Sequence, residues 1–170
     1  MDRLRALYLP VLTAAWALVA ASLLPSCSSI DCPVQNTVTC SYLVCDAQGV
    51  AVELQDTLNV FSPRRDGTDT LLLNRSVNTK SFSIPISFSL AEDTIVLQVK
   101  GADYVVEDTV FVEKTNEPRF ESVDCQAVYF HTITQVRAKG TLLEDVIINK
   151  ASVDYDASTP HLHLLFKSSL

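Results

Sequence analysis

Residues 94–113, TIVLQVKGADYVVEDTVFVE, decide the fold class of this chain. Apolar and polar residues alternate on both sides of Lys100-Gly101-Ala102-Asp103, a group of turn-forming residues. Alternation with a period of two, in runs rich in β-branched and aromatic residues, predicts strands, and Gly with Asp between them predicts a tight turn. We therefore expect two neighbouring antiparallel strands here.

The same pattern extends over the rest of the chain after its N-terminus. Helical periodicity is nearly absent: the spacing over residues 141–146 would allow a single turn, but it does not persist over two turns. Nine short runs of ordinary strand length have the β pattern, namely 37–45, 57–61, 70–74, 82–88, 94–100, 104–113, 128–136, 146–149 and 162–166. Short strands at such spacing predict an all-β, antiparallel two-sheet sandwich, immunoglobulin-like or a related Greek key, with a small closed β-barrel as the alternative.

Prolines and turn residues refine this prediction. Residues 63–67, PRRDG, are typical of a hairpin connection, and Asn116-Glu117-Pro118 predicts a break after the strand that ends at residue 113. Pro85 lies inside the run 82–88 and cannot donate to a strand ladder. We expect that run to be an edge strand or to carry a bulge.

The N-terminus has the layout of a bacterial lipoprotein signal. Arg3 and Arg5 precede a long apolar run over residues 6–24, and Ser26 stands directly before Cys27. A basic start, an apolar run and a small residue at the cleavage site are the parts of a secretory signal. We expect cleavage before Cys27 and lipid on that cysteine. An ordinary cleaved signal and an uncleaved membrane anchor are the two alternatives.

Removal of the signal defines the domain organisation. It leaves 144 of the 170 residues, which suits a single domain. We predict a signal peptide over residues 1–26, a lipidated tether over 27–36 and one β-sandwich domain over 37–170. The predicted mature chain keeps 11 basic and 19 acidic residues, because Asp2, Arg3 and Arg5 belong to the signal. A net charge near −8 argues against nucleic acid as a partner.

Four cysteines remain if Cys27 carries lipid. They are Cys32, Cys40, Cys45 and Cys125, an even number in an oxidising compartment. Cys40 and Cys45 are five residues apart in one predicted strand, or about 16 Å, whereas a disulfide needs Cα atoms less than ~7 Å apart. Spacing alone therefore favours crosswise pairings that do not join these two.

An Asp-Thr-aliphatic motif occurs four times at strand starts, at residues 56–58, 69–71, 93–95 and 108–110. Asp suits a turn and β-branched Thr suits the start of a strand, which gives a purely structural explanation. Alternation would turn the aliphatic residue inward and the Thr hydroxyl to solvent. The motif also resembles the acceptor pattern for O-glycosylation of exported proteins in Bacteroides-type bacteria. The candidate sites are Thr57, Thr70, Thr94 and Thr109.

Four segments resemble an uncharacterised family of small Bacteroidales lipoproteins. They are residues 27–33 (CSSIDCP), 72–77 (LLNRSV), 120–125 (FESVDC) and 129–133 (YFHTI), and the similarity extends over the mature chain. The resemblance implies a lipidated single β-domain without an assigned reaction. Because cysteines matching Cys32 and Cys125 recur in that family, it also implies a Cys32–Cys125 disulfide, with Cys40 and Cys45 as free thiols.

Candidate catalytic and metal-binding residues are few. Cys125 with His131 as base is conceivable, but an exported, disulfide-bonded cysteine is a poor nucleophile. His161 and His163 are spaced to share one strand face, and His131 could add a third ligand, but strand histidines are usually structural and a zinc site needs three or four ligands. Asp66-Gly67-Thr68-Asp69 offers too few oxygens for calcium. We expect no enzyme activity, cofactor or bound metal.

These observations predict a lipoprotein of the outer membrane that is an interaction or structural module of the cell envelope. We expect it to face the periplasm, with exposure at the cell surface as the alternative. An uncovered sheet edge would favour a protein partner. A carbohydrate or small-ligand binder is the alternative, and an exposed cluster of tyrosines would favour it. Its sequence support is weak, since the only tryptophan, Trp16, lies in the signal.

Overall fold

A computed structural model describes residues 38–64, 66–120 and 125–167, which belong to one compact unit. The signal, the tether, Cys27 and Cys32 lie outside these residues, so the predictions made for them are not addressed by the fold. The described residues form ten strands: β1 (Thr39–Cys45), β2 (Thr57–Pro63), β3 (Asp69–Ser76), β4 (Ser81–Pro85), β5 (Glu92–Lys100), β6 (Val105–Arg119), β7 (Val128–Lys139), β8 (Leu143–Ile148), β9 (Ser152–Val153) and β10 (Leu162–Phe166).

The strands form two sheets. One has four strands in the order β4-β1-β10-β8, and the other has six in the order β3-β2-β5-β6-β7-β9. The predicted all-β, two-sheet architecture is confirmed. One pair departs from the antiparallel expectation, because β1 and β10 run parallel. The first and last strands therefore lie side by side in the centre of the smaller sheet.

Alternation along the strands builds the core between the sheets. In β5, Ile95, Leu97 and Val99 are buried while the residues between them are half-buried. β6 continues the pattern with Val110 and Val112. Their partners come from the smaller sheet, and burial of apolar side chains of this size stabilises by about 1.5–3 kcal/mol each. These partners are Cys40, Tyr42, Val44, Ile84, Leu162 and Leu164.

All nine predicted strands are present, with shifted ends, and β9 was not predicted. Pro85 ends β4, an edge strand of the smaller sheet, as expected. The turn at Lys100 is closed by a hydrogen bond from Gly101 N to Tyr104 O of 3.0 Å. The single helical turn that the spacing over 141–146 would allow does not form, because Leu143–Ile148 pairs with β10 as a strand.

The predicted break at Asn116-Glu117-Pro118 is wrong. β6 continues to Arg119, and Pro118 pairs with Tyr129 of β7. β5 begins opposite Glu113, so the part of β6 after Glu113 has a strand on only one side, where proline is tolerated. The β6–β7 hairpin thus extends about 20 Å beyond β5, at ~3.3 Å per residue.

The two ends of the sandwich differ in what they carry. At one end, which we call the entry end, the chain enters β1, and Thr39 pairs with Pro85. The β4–β5 loop and the β6–β7 hairpin tip lie at this end, because β4 and β6 end there while β5 and β7 begin there. The opposite end, the far end, holds the β5–β6 turn and Val105.

Candidate functional site

A cleft of about 790 Å³ opens between the sheets at the entry end. Its walls come from the β2–β3 hairpin on one side and from the end of β4 with the β4–β5 loop on the other. Hydroxyl groups and apolar side chains are mixed in its lining. The lining residues are Tyr42, Ser62, Pro63, Arg64, Thr70, Leu72, Pro85, Ile86, Ser87, Phe88, Ser89, Leu90, Asp93 and Ile95.

The β4–β5 loop, residues 86–91, is held by a buried polar network. Lys114 Nζ lies 3.2 Å from Asp93 Oδ1 and donates to Leu90 O at 2.7 Å. The other Asp93 oxygen accepts from Ser87 N at 3.0 Å. Asn116 Nδ2 adds a second donor to Leu90 O at 2.9 Å. Because the Lys114 side chain is fully buried, these bonds fix one wall of the cleft.

The inner end of the cleft is formed by Tyr42. Its ring stacks on Phe82 with centroids 4.9 Å apart and planes 6° from parallel. Burial, and then the neighbouring Cys40, raise the pKa of Tyr42 well above its ordinary value. Burial also raises the pKa of the Cys40 thiol to about 12. Both groups are therefore neutral at physiological pH, and Cys40 is a poor nucleophile.

The rim of the cleft is apolar on the loop side. Phe88 is 61% exposed and stacks on Tyr129 with centroids 5.0 Å apart. Leu90 is also exposed. Exposed aromatic and aliphatic groups beside a concave surface are typical of binding sites rather than of an inert surface.

The cleft lies between two sheet edges. β3 is the edge of the larger sheet and pairs only with β2, while β4 is the edge of the smaller sheet and pairs only with β1. Strand edges present backbone N–H and C=O groups that can pair with another extended chain. The site therefore combines side-chain pockets with strand edges on both sides.

The β3 edge corrects the expected orientation of one motif. Phe61 pairs with Leu71 and Val60 with Leu73, so Leu72 is an extra residue and the register shifts. A bulge of this kind breaks the strict alternation along a strand. Thr70 and Leu72 line the cleft, whereas Leu71 is 47% exposed on the outer face. The prediction of an inward Leu71 and an outward Thr70 is wrong.

The other three copies of the motif follow the expected alternation. Leu58, Ile95 and Val110 are buried, while Thr57, Thr94 and Thr109 are half-buried on the outer face. Three of the aspartates have structural partners. Asp56 accepts a hydrogen bond from Tyr104, Asp93 belongs to the network described above, and Asp108 accepts from three backbone N–H groups. The structural explanation of the motif accounts for these contacts, and glycosylation stays a prediction.

The outer face of the larger sheet has a smaller depression of about 620 Å³. A ladder of polar side chains crosses it: Asn59 donates to Gln98 at 3.0 Å, and Gln98 donates to Glu107 at 2.7 Å. Asn59 Oδ1 also accepts from Arg75 N. Because these groups bond to one another, few of them are left to recognise a ligand.

The histidines considered as metal ligands are not brought together. His131 lies on β7 of the larger sheet, where its Nδ1 is 2.7 Å from Asn116 Oδ1. Burial lowers the pKa of His131. His161 and His163 belong to the β10 region of the smaller sheet, where Ser41 N donates to His161 Nδ1 at 3.0 Å. Within the described ranges, no three His, Cys, Asp or Glu side chains are placed to hold a metal ion. Asp66 instead accepts from the backbone and hydroxyl of Thr68.

The cysteines divide as the resemblance implied, as far as they are described. Cys40 and Cys45 are free and buried, whereas Cys125 is not free. Cys32 lies outside the described residues, so the Cys32–Cys125 pairing stays a prediction. The combination of Cys125 as nucleophile and His131 as base has no support here, because the cysteine is engaged and His131 bonds to Asn116.

The tyrosines are dispersed. Tyr42 is buried in the core, Tyr104 lies at the far end, and Tyr129 stacks on Phe88. Tyr155 meets Phe130 edge to face at 5.0 Å. No platform of exposed tyrosines forms among these four residues, so the carbohydrate alternative gains no support from them.

The Lys114–Asp93 network was not predicted, although the sequence contains a signal for it. Val110, Val112 and Lys114 occupy successive inward positions of β6, so alternation places a lysine where the core is expected. A buried lysine needs a partner. The cleft itself had no sequence signal, because it depends on how the two sheet edges are spaced.

Comparisons with known proteins add a family but no activity. A family model described as a family of unknown function (DUF6452) matches residues 57–166, which extend from β2 to β10. No curated protein matches the chain, and no solved structure does. Within the described part of the chain, we find no helix that is long and apolar enough to span a membrane.

Proposed function

Because the chain belongs to this family of unknown function, we propose a role from its own residues: a non-catalytic, lipid-anchored interaction module of the cell envelope. The cleft between β3 and β4 is its binding site. Cys27 carries the lipid in this proposal, and the domain faces the periplasm from the outer membrane. The observation that carries the proposal is an open cleft between two sheet edges, each paired on only one side.

The occupant that fits the cleft best is an extended segment of an envelope protein. Strand addition uses backbone hydrogen bonds from an open edge for affinity and alternating side-chain pockets for specificity. The lining provides both apolar positions, such as Leu72 and Ile95, and hydroxyls, such as Ser62 and Thr70. A volume of about 790 Å³ also lies within the range of roughly 300–1,000 Å³ usual for binding sites.

A binding role is favoured over catalysis by the chemistry of the same cleft. Its buried ion pair, Lys114 with Asp93, is occupied in holding the loop, and the Cys40 thiol beside Tyr42 has a pKa of about 12. A protein partner is favoured over a glycan because the tyrosines are dispersed and the outer polar ladder is internally bonded.

Two adjacent residues of β3 allow a matched test. A photo-reactive amino acid replaces Leu72, which lines the cleft, or Leu71, which faces outward, in the full-length protein in its native cells. We expect one discrete adduct with an envelope protein from position 72 only, and loss of this adduct in a second variant with Thr70→Arg. Identical adducts from both positions, or none from position 72, would contradict the proposal.

A further inference from the structure

We propose that the entry end of the domain rests on the lipid surface to which the chain is anchored, with Phe120, Phe88 and Leu90 in contact with the headgroup region. This inference rests on the proposed lipid on Cys27 and adds the orientation of the domain. It concerns exposed apolar side chains of the β6–β7 hairpin and of the β4–β5 loop, which also forms one wall of the cleft.

The exposed phenylalanines are concentrated at the entry end. Phe120 is 73% exposed at the tip of the β6–β7 hairpin, and Phe88 is 61% exposed in the neighbouring loop. Phe88 stacks on Tyr129 of that hairpin, so loop and hairpin form one apolar surface. At the far end the large exposed side chains include Val50, Val105 and Tyr104, and the Tyr104 hydroxyl donates a hydrogen bond to Asp56. Among the described residues, no exposed phenylalanine lies at that end.

The covalent chain keeps this end near the anchor. Cys27 precedes Val38 by eleven residues, which span at most about 40 Å when fully extended. Val38 leads directly into β1 at the entry end, where Thr39 pairs with Pro85. The far end is separated from the entry end by the length of β6, about 45 Å at ~3.3 Å per residue. A short tether therefore favours contact through the entry end.

The predicted disulfide would tighten this restraint. Cys125 follows the hairpin tip in sequence, three residues before β7 begins, and a bond to Cys32 would place Cys27 within about 17 Å of it in an extended chain. Phe120 and Phe88 would then be held beside the lipid. Aromatic rings are favourable at the boundary between headgroups and acyl chains.

The charges of the domain indicate which lipid suits it. The mature chain has a net charge near −8, and Arg119, directly before Phe120, is paired with Glu117. Anionic headgroups would be repelled. The surface is therefore suited to zwitterionic phospholipid, where apolar contact supplies the attraction and no basic patch is required.

The orientation can be measured with tryptophan as a reporter, since the predicted mature chain has none. Phe120→Trp, Phe88→Trp and, as a far-end control, Val105→Trp are made in the full-length lipidated protein. Val105 is 55% exposed, comparable to Phe88. Each variant is reconstituted into vesicles of phosphatidylcholine in which a fraction of the lipid is brominated near the headgroup, and vesicle flotation is recorded in parallel.

We expect all three proteins to float, with bromine quenching at least twofold greater for positions 120 and 88 than for position 105. Flotation with equal quenching at all three positions would overturn the orientation while leaving the anchor in place. Failure to float would overturn both this inference and the lipid anchor of the proposed function. Replacing part of the phosphatidylcholine by phosphatidylglycerol should reduce the difference between positions; an increase would contradict the charge argument.

Discussion

Asp108 shows how a single residue sets the geometry of a connection. Its carboxylate is 1% exposed and accepts hydrogen bonds from the backbone of Thr141, Leu142 and Leu143 at 2.7–2.9 Å. Gly140 has a φ of +150°, and a Cβ there would lie 1.9 Å from an Asp108 oxygen. The turn from β7 to β8 is therefore built around a buried charge, and glycine is required beside it.

Replacement of Asp108 tests this role. Asp108→Ala leaves three N–H groups without their acceptor, two of them buried, and should lower the free energy of unfolding by about 3–5 kcal/mol. Asp69→Ala changes the same motif at an exposed position and should stay within about 0.5 kcal/mol. Urea unfolding followed by circular dichroism measures both. Equal effects of the two substitutions would show that the hydrogen bonds to Asp108 do not contribute more to stability than an exposed aspartate does.

The environment of His161 predicts how the stability of the domain depends on pH. Ser41 N donates to its Nδ1 at 3.0 Å, so the proton of the neutral ring is on Nε2. Burial, and then the nearby Lys150, lower the pKa of His161, and burial and Lys114 lower that of His131. In the unfolded chain the histidines have a pKa near 6.5, so they bind protons at a higher pH than these two histidines do in the folded chain. Stability should fall as the pH is lowered below about 6.5.

The size and origin of this effect can be measured directly. The free energy of unfolding should decrease as the pH falls from about 6.5 to the folded pKa of each histidine. In that interval each histidine should contribute up to about 1.4 kcal/mol per pH unit to the decrease. A variant with His131→Gln and His161→Gln should show a flatter profile from pH 7 to pH 5. An unchanged slope in the double variant would assign the acid sensitivity to carboxylates instead.

At the scale of elements, the β4–β5 loop depends on β6. Lys114 is buried and reaches Asp93 and Leu90 across the end of the sheet. Removing one partner of a buried pair leaves an uncompensated charge, which costs about 3–5 kcal/mol. Lys114→Met should therefore destabilise the domain by that amount and loosen the cleft wall.

The matched variants for Lys114 separate charge from packing. Adding Asp93→Leu should restore at least half of the lost stability, because no charge then remains unpaired. Arg119→Met removes a surface pair with Glu117, in which both side chains are 59% exposed, and should cost less than about 1 kcal/mol. If the double variant were as unstable as Lys114→Met alone, the charge explanation would be wrong. Chemical denaturation of the wild-type protein and the three variants measures their free energies of unfolding.

The elements also show what a sequence can predict. Alternation located β5 and the start of β6 correctly, because each side chain position is decided by the two faces of a strand. It failed at β3, where an extra residue at Leu72 reverses the faces, and at Pro118, which an edge position tolerates. The parallel β1–β10 pair and the cleft depend on contacts between distant segments, which local patterns do not encode. Lys114 was predictable as an inward lysine, but its partner Asp93 was not.

At the scale of the whole molecule, the features form a consistent arrangement. The cleft, the exposed phenylalanines and the point where the chain enters β1 all lie at the entry end. Under the proposed anchor and orientation, a partner segment in the cleft would therefore lie close to the membrane that carries the domain. With Cys27 as the proposed anchor, this arrangement is consistent with a binding role for the acidic domain. The buried Cys40 thiol is unreactive and takes no part in it.

The anchor is tested by the intact mass of the protein purified from its own membrane fraction, with and without reduction. We expect a chain that begins at Cys27 and carries acyl chains, because several chains at about 0.8 kcal/mol per buried methylene bind a membrane almost permanently.

Reduction should add the mass of two hydrogens if Cys32 and Cys125 are paired. Hexose-sized increments would show that the protein is glycosylated, and peptide mapping would then be needed to distinguish the candidates Thr57, Thr70, Thr94 and Thr109. Cys27→Ser should abolish the mass of the acyl chains, whereas Cys40→Ser should leave it unchanged. An intact mass without acyl chains would exclude the lipid anchor.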